Sequence, residues 1–496
     1  MLCPDLKSFC RLAKKANIVP VYKEVLADLE TPVSAFLKIS GNSSHAFLLE
    51  SVEGQEKIGR YSFIGADFFL TFKSKGNKVR ICERGREKEC AVGKGDPLEN
   101  LKEIMREYRP PSTSALPIFA GGAVGYLSYD LVRFFEKLPD KNPDALGLPD
   151  AYFLLTDTFL IFDHIEHSIK IVCNARVADG NPASAYASAR RKIEGIERRL
   201  KTGRVSHIDY SPNNKEILFN SNFTKAEFTE AVRKIKAYVR GGDIIQAVLS
   251  QRFSAKIDIE PFNLYRALRV VNPSPYMFYF KLPECSIIGS SPEIFLRIEN
   301  GRAILRPIAG TRPRGKTPDE DRKLEKELLK DKKEKAEHLM LVDLGRNDLG
   351  RICEYGSVRP SDFMNVERYS HVMHIVSEVT GKMKRGKDCF DAVRACFPAG
   401  TVSGAPKIRA MEIIEETEKE KRGIYAGAIG YFSYNGNMDT AITIRTILML
   451  DSRCCIQSGA GIVADSVPEK EYSETLNKAK AMLKAISVTS GLRKKK

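Results

Sequence analysis

Residues 429–463, IGYFSYNGNMDTAITIRTILMLDSRCCIQSGAGIV, hold three apolar runs separated by two turns. Asn435-Gly436 has the composition of a tight hairpin turn, and it lies between the β-prone runs Ile429 to Tyr434 and Ala441 to Leu450. Asp451-Ser452-Arg453 turns the chain again into Cys455 to Val463. Strands joined by so few residues pair antiparallel, because a parallel crossover needs a dozen residues or more. The segment therefore points to an α+β fold and away from a doubly wound parallel sheet. Asn300-Gly301 marks a second tight hairpin upstream.

Working outward, short strands are expected at Ala46 to Leu49, Tyr61 to Ile64, Phe68 to Phe72 and Val79 to Cys82, with a turn at Gly76-Asn77. Pro110-Pro111-Ser112 and Pro139 to Pro143 break the chain, after which Tyr152 to Phe162 and Ile169 to Asn174 are expected as a hairpin. A helical stretch from Ala183 to Leu200 runs into polar residues 201–222, including Ser211-Pro212-Asn213-Asn214. The division is placed there, giving an N-terminal α+β region 1–205 and a second region 206–496. Beyond it, Thr224 and Glu227 form a capping box, and Gly241-Gly242 stops the helix. Ile245 to Phe253 then alternates as a strand with Gln246, Val248, Ser250 and Arg252 on one face. Two long helices frame the region. Thr317-Pro318 opens one, on which Glu337 falls late, and Ser466 and Pro468 open the other.

Composition narrows the function classes. With 496 residues, 43% hydrophobic and 29% charged, the chain can bury one large composite core or two smaller ones. No apolar run approaches the ~18 residues of a membrane span, and the first 30 residues lack an apolar signal region, so a cytoplasmic protein without membrane contact is expected. The 11 cysteines are scattered without C-x-x-C pairs, which argues for buried thiols rather than a disulfide framework. Lys plus Arg exceed Asp plus Glu by 79 to 63, a net +16 compatible with an anionic substrate, an acidic partner or nucleic acid. The basic residues are dispersed, no aromatic-flanked basic module occurs, and Arg493 to Lys496 reads as a frayed tail, so no nucleic-acid partner is expected.

Gly310-Thr311-Arg312-Pro313-Arg314-Gly315-Lys316-Thr317 matches the phosphate-loop pattern G-x-x-x-x-G-K-T. Its context contradicts a nucleotide site. Pro318 drives Thr317 out of helical geometry, so no helix can start at the Gly-Lys-Thr step, and Asp319, Glu320 and Asp321 would repel phosphate.

A different set of residues carries chemistry. Glu471, Glu474 and Lys478 are spaced by three and four on the last helix and share one face. Carboxylates from that helix and from Glu337, meeting over a pocket, would make an oxygen site suited to Mg²⁺; the same spacing also describes a solvated, ion-paired face. Gly459-Ala460-Gly461 would let backbone amides approach an anion, or else marks a bulge or a crowded packing point. With Arg445 added, the set describes a site for a carboxylate-bearing molecule.

At these residues the chain resembles the chorismate-utilising enzymes, and within them the anthranilate-forming branch. The matching stretches are Asp243 to Ser250, Gly289-Ser290-Ser291-Pro292-Glu293, Pro307-Ile308-Ala309-Gly310-Thr311-Arg312, Glu337 to Arg351, His371 to His374, Pro398 to Lys407 and Asp465 to Lys478. The resemblance implies large antiparallel sheets packed as a sandwich with helices outside. It implies Glu337 and Glu474 as Mg²⁺ ligands with Glu471 nearby, and Tyr425 and Arg445 as binders of the enolpyruvyl carboxylate. Gly310, Thr311, Lys478 and the Gly459, Ala460 and Gly461 backbone would contact substrate. Glu293 would be the general acid, and His374 would serve the proton removal that aromatises the ring.

Members that add water resemble one another in a lysine base where this chain has Gln246, and para-aminating members in a lysine nucleophile where it has Ala309. With neither lysine, the resemblance implies ammonia as the attacking group, with the para-aminating relative as the alternative. Leu49-Glu50-Ser51 and Pro273-Ser274-Pro275-Tyr276-Met277 resemble the segments that bind tryptophan as feedback inhibitor. Such members draw ammonia from a glutamine amidotransferase, and no cysteine here sits in a glycine-rich elbow, so a separate glutaminase subunit and a hetero-oligomer are expected. His338 and His371 receive no role.

Overall fold

The pairing of 429–463 is antiparallel, but the segment serves two layers. Ala428–Ser433 pairs with Met438–Ile442, and Thr446–Leu450 pairs with Arg453–Ile462. The expected strand Ala441 to Leu450 is thus two strands, broken at Thr443-Ile444-Arg445, and its halves belong to different sheets. Arg445 takes φ +51°, a left-handed conformation unusual for a long side chain, and this lets the chain step from one layer to the other. Tyr152 to Phe162 divides in the same way, at Asp157, into Ala151–Thr156 and Thr158–Asp163; only the second half pairs with Ser168–Arg176 as the expected hairpin. Every residue of both halves is buried, so no alternation marked the break.

The computed structural model describes residues 1–52, 59–93, 95–111, 116–177, 180–205, 217–369 and 372–490. Ser112, the polar stretch 206–216, His371 and Arg493 to Lys496 lie outside these residues. Among the described residues, sheets of thirteen and twelve strands pack face to face. Phe47, Phe278, Phe280 and Ile287 of one meet Val124, Leu154, Ile429 and Tyr431 of the other in a common apolar core. Helices cover both outer faces: Pro182–Thr202, Pro261–Val271 and Pro468–Ser490 on one, Pro97–Arg106 and Cys389–Cys396 on the other. The expected sandwich with outer helices is present. Strands from either side of residue 205 share both sheets, since Ala46–Glu50 pairs with Tyr276–Lys281 and Gly122–Leu127 with Ala428–Ser433.

The helix expected to carry Glu337 late in its course is two helices, Pro318–Lys330 and Lys332–Gly350. Asp331 ends the first and caps the second, accepting the Lys333 and Glu334 amides at 3.0 and 3.2 Å. Glu337 therefore lies in the second turn of a fresh helix. Upstream, Thr317 is extended, at φ −130° and ψ 159°. The Gly315 and Lys316 amides donate to Asp321 and Glu320 at 2.6 and 2.8 Å, so the helix's own carboxylates occupy groups a phosphate would need. All eleven cysteines are free thiols, seven of them buried. Among the described residues, no helix is long and apolar enough to cross a membrane.

Candidate active site

A cavity of about 610 Å³ opens where the ends of the sheets face the Lys332–Gly350 and Pro468–Ser490 helices. One wall is the strand pair Gln246–Lys256 and Arg453–Ile462, in which Val248 lies opposite Gly461 and Ser250 opposite Gly459. Both glycines are dictated by close approach. A methyl at Gly459 would stand 2.8 Å from the Tyr425 hydroxyl, and one at Gly461 would stand 2.2 Å from Gln246 Nε2. Ala460 alternates to the other face, packs with Ala247 and Leu249, and does not line the cavity. Gln246 is 5% exposed, and its side-chain oxygen accepts no hydrogen bond from the described residues. Gly461→Ala is expected to displace that amide, leaving a folded protein with activity lower by about a hundredfold; wild-type activity would contradict this placement.

Opposite, Ile308–Pro313 pairs with Val372–Lys382 so that Thr311 faces His374. The register shifts at Gly310, whose φ of +68° is the conformation glycine supplies without strain. His374 Nδ1 lies 3.0 Å from the Gly310 carbonyl and 3.1 Å from the Thr311 hydroxyl. A carbonyl only accepts, so Nδ1 carries the hydrogen and Nε2 keeps its lone pair. Burial, aided by the Arg445 charge, holds the imidazole below its ordinary pKa, a neutral base.

Glu293 follows the Ser286–Ser291 strand and is 8% exposed. Burial raises its pKa to about 8, against the opposing pull of the Thr401 hydroxyl and the Lys478 charge. Its backbone carbonyl accepts the Ile442 amide at 3.0 Å, three residues before Arg445, so the strand break delivers acid and cation together. Arg445 donates to the Lys478 carbonyl at 3.1 Å. Lys478 in turn donates to the Gly459 carbonyl at 3.0 Å and pairs with Glu474 at 2.7 Å.

Glu337, Glu471 and Glu474 reach the same cavity from two helices, joined by Glu334, which the sequence reading missed although it precedes Glu337 by one turn. Burial raises the pKa of Glu337, and Glu334 and Glu474 raise it further. Burial also raises Glu471, with Glu474 adding to the effect. Such facing carboxylates, offset in part by Lys478, suit a divalent cation. Among the described residues, no three acidic, histidine or cysteine side chains gather closely enough to hold a metal by themselves. Thr401 and Asn477 also line the cavity and were missed. His338 is fully buried with Nε2 2.6 Å from the Ser377 hydroxyl, and burial lowers its pKa to about 4, a structural histidine away from the site.

A second cavity of about 350 Å³ lies between the sheets, lined by Leu49, Glu50, Ser51, Pro275, Tyr276 and Met277. The pairing of Ala46–Glu50 with Tyr276–Lys281, Glu50 opposite Met277, brings the two sequence segments together. Pro273 and Ser274 do not line it; the Ser274 hydroxyl is engaged by Ser290 at 2.9 Å. The Glu50 carboxylate is held by the Tyr265 hydroxyl and by Arg269 at 3.1 Å. At the polar end, the Tyr276 hydroxyl donates to Asp439 at 3.1 Å and Arg297 donates to it at 3.0 Å.

A sandwich of antiparallel sheets whose edge cavity gathers carboxyl, imidazole, guanidinium and ammonium groups from both layers is an enzyme scaffold for a small anionic molecule. Comparison with known proteins gives the class its name: the chorismate binding enzyme family matches residues 44–484, and the chain belongs to it. It is 51% identical to anthranilate synthase component 1 of Acetivibrio thermocellus over 499 residues, covering 99% of this chain and all of that one. It is 50% identical to the protein of the same name from Aquifex aeolicus, covering 98% of each. The crystal structure of anthranilate synthase component I from Streptococcus pneumoniae TIGR4 superposes with a TM-score of 0.77 at 36% identity, covering 92% of this chain and 99% of that one.

Proposed function

We propose that this chain is the chorismate-aminating subunit of an anthranilate-forming enzyme, which converts chorismate and ammonia to anthranilate, pyruvate and water on the route to tryptophan. The observation that carries the reading is the pairing, in one cavity, of a carboxyl kept protonated at Glu293 with a non-basic amide at Gln246 and an alanine at Ala309. The leaving hydroxyl can be protonated, yet neither position offers an amine, so the nucleophile enters from outside.

In this reading, Arg445 and Tyr425 hold the enolpyruvyl carboxylate, and the Gly459 and Gly461 backbone lies against the ring. Glu337 and Glu474, with Glu471 beside them, would hold a Mg²⁺ ion, which when bound would supply the counter-charge for the ring carboxylate. Glu293 gives its proton to the departing hydroxyl, which leaves as water while the C–N bond forms, and the ring ammonium so formed returns one proton to the medium to become the amine. His374 Nε2 then takes the ring proton; the enolpyruvyl C–O bond breaks with its electron pair going to oxygen, and the released enolate takes one proton on its methylene carbon to give pyruvate. Ammonia is supplied by a separate glutamine amidotransferase. The purified chain is expected to make anthranilate from chorismate, Mg²⁺ and ammonium, and none from glutamine. Glutamine-driven turnover by the chain alone would refute the separation, and para-aminobenzoate as product would refute the regiochemistry.

The second cavity serves as the tryptophan inhibitory site. Its support is the joining of the two segments with an apolar interior and the Arg297–Asp439 pair, which suits a zwitterion. Leu49→Ala is expected to raise the tryptophan concentration for half-inhibition by about tenfold, from lost apolar contact, with uninhibited kcat unchanged. Unaltered inhibition would remove tryptophan from this cavity.

A further inference from the structure

Arg422, 2% exposed, is among the largest fully buried side chains and has no part in the chemistry above. Its guanidinium grips Glu418 through two bonds, of 3.0 and 2.6 Å, and donates to the carbonyls of Val402 at 2.7 Å and Val248 at 2.6 Å. Glu418 also accepts the Ser250 amide and hydroxyl, both at 2.8 Å. The guanidinium carbon stands 4.7 Å from the Tyr129 ring centre and 5.6 Å from that of Tyr425. Val248, Val402 and Tyr425 all line the catalytic cavity. One buried charge pair therefore holds three of its walls.

Stability alone is a weak reason for such a pair. Desolvation offsets most of the attraction, and well-packed neutral side chains often serve as well. What a guanidinium offers uniquely is a rigid fork that sets several bond directions at once. We propose that the Glu418–Arg422 pair is a positioning element, which sets the Tyr425 ring and the Val248 and Val402 backbones in the arrangement that receives the enolpyruvyl carboxylate; the identity of that ligand rests on the function proposed above. Neither side chain touches substrate, and each acts through the wall it holds.

The test is the neutral double variant Glu418→Gln/Arg422→Met, with Arg422→Lys as a second variant that keeps the charge and loses the fork. Both are expected to fold with Tm near wild type. Their crystal structures should show the Tyr425 ring displaced or spread over conformers, and kcat/KM for chorismate should fall on the order of a hundredfold, most of it in KM. An unmoved ring with unchanged KM overturns the proposal, as does a loss of Tm and kcat in parallel with KM constant. If the double variant does not fold, Arg422→Lys gives the same readings. If wild type neither binds chorismate nor makes anthranilate, the proposed function falls, while the ring position in the variants still decides whether the pair positions the wall.

Discussion

Glu293→Gln is expected to lose between ~10²- and ~10⁴-fold in kcat, the range associated with removing a general acid, and to become more resistant to unfolding at neutral pH. Both effects come from burial. The folded carboxyl titrates at about 8, well above its ordinary 4.5, so the unfolded chain ionises first. The stability contributed by the protonated group is complete below ~4.5 and is lost progressively until pH passes about 8. By pH 7 the loss is about 3 kcal/mol, because between those two values a tenfold fall in proton concentration costs about 1.36 kcal/mol, and glutamine, which cannot ionise, avoids it. The same carboxyl governs the alkaline side of the wild-type rate, which should fall as pH rises through about 8. His374, held below its ordinary 6.5 by burial, places the acid-side fall lower still. A pH series of kcat and of thermal unfolding checks both effects. A Gln variant with near wild-type kcat, or one that keeps the alkaline fall, would remove Glu293 from the acid role.

Glu337→Ala should be the most damaging change among the acidic residues. Burial raises the proton affinity of its carboxylate, and the charges of Glu334 and Glu474 raise it further; a cation held by Glu337 and Glu474 would exchange that repulsion for attraction. Without one of the pair, the ring carboxylate loses its counter-charge, a contribution of several kcal/mol, so activity should fall at least about a thousandfold at any Mg²⁺ concentration. The fold should survive, because removal of a half-buried, repelled carboxylate relieves strain rather than creating it. Activity measured across a Mg²⁺ titration, beside a thermal melt, tells the two apart. Mg²⁺-dependent turnover retained in the variant would mean that the ligand lies elsewhere, with Glu334 the nearest candidate.

Much of this arrangement was legible in the residues themselves. The turns at Asn435-Gly436 and Asp451 dictate antiparallel pairing whatever surrounds them, and the three-and-four spacing of Glu471, Glu474 and Lys478 places them together on any helix. The Pro after Thr317 excludes a phosphate loop for a local reason, and the structure keeps that reason in the extended Thr317. The role of each residue within the cavity came from the family resemblance, since spacing alone also described a solvated face.

What stayed hidden was long-range. Ala441 to Leu450 is apolar throughout much of its length, so nothing in its pattern shows that the chain changes sheets at Arg445, although that step places the guanidinium in the site. Asp331 reads as one more charge in a charged helix until its side chain is seen to accept two amides, which resets the helix and brings Glu334 into the cavity. Ala460 was grouped with its glycine neighbours, whereas strand alternation turns it into the core. Glu418 and Arg422 lie 168 residues or more from the strand positions they hold, a partnership only the fold creates.

Everything proposed for the chemistry depends on one divalent cation joining the Lys332–Gly350 and Pro468–Ser490 helices and presenting the ring carboxylate. Crystals soaked with Mn²⁺ and chorismate in the absence of ammonia test it through the anomalous signal of the metal. A single strong peak is expected within ~2.0–2.5 Å of carboxylate oxygens from both Glu337 and Glu474. A saturating soak with the peak at some other site, or with ordered chorismate and no peak between these two side chains, would contradict it.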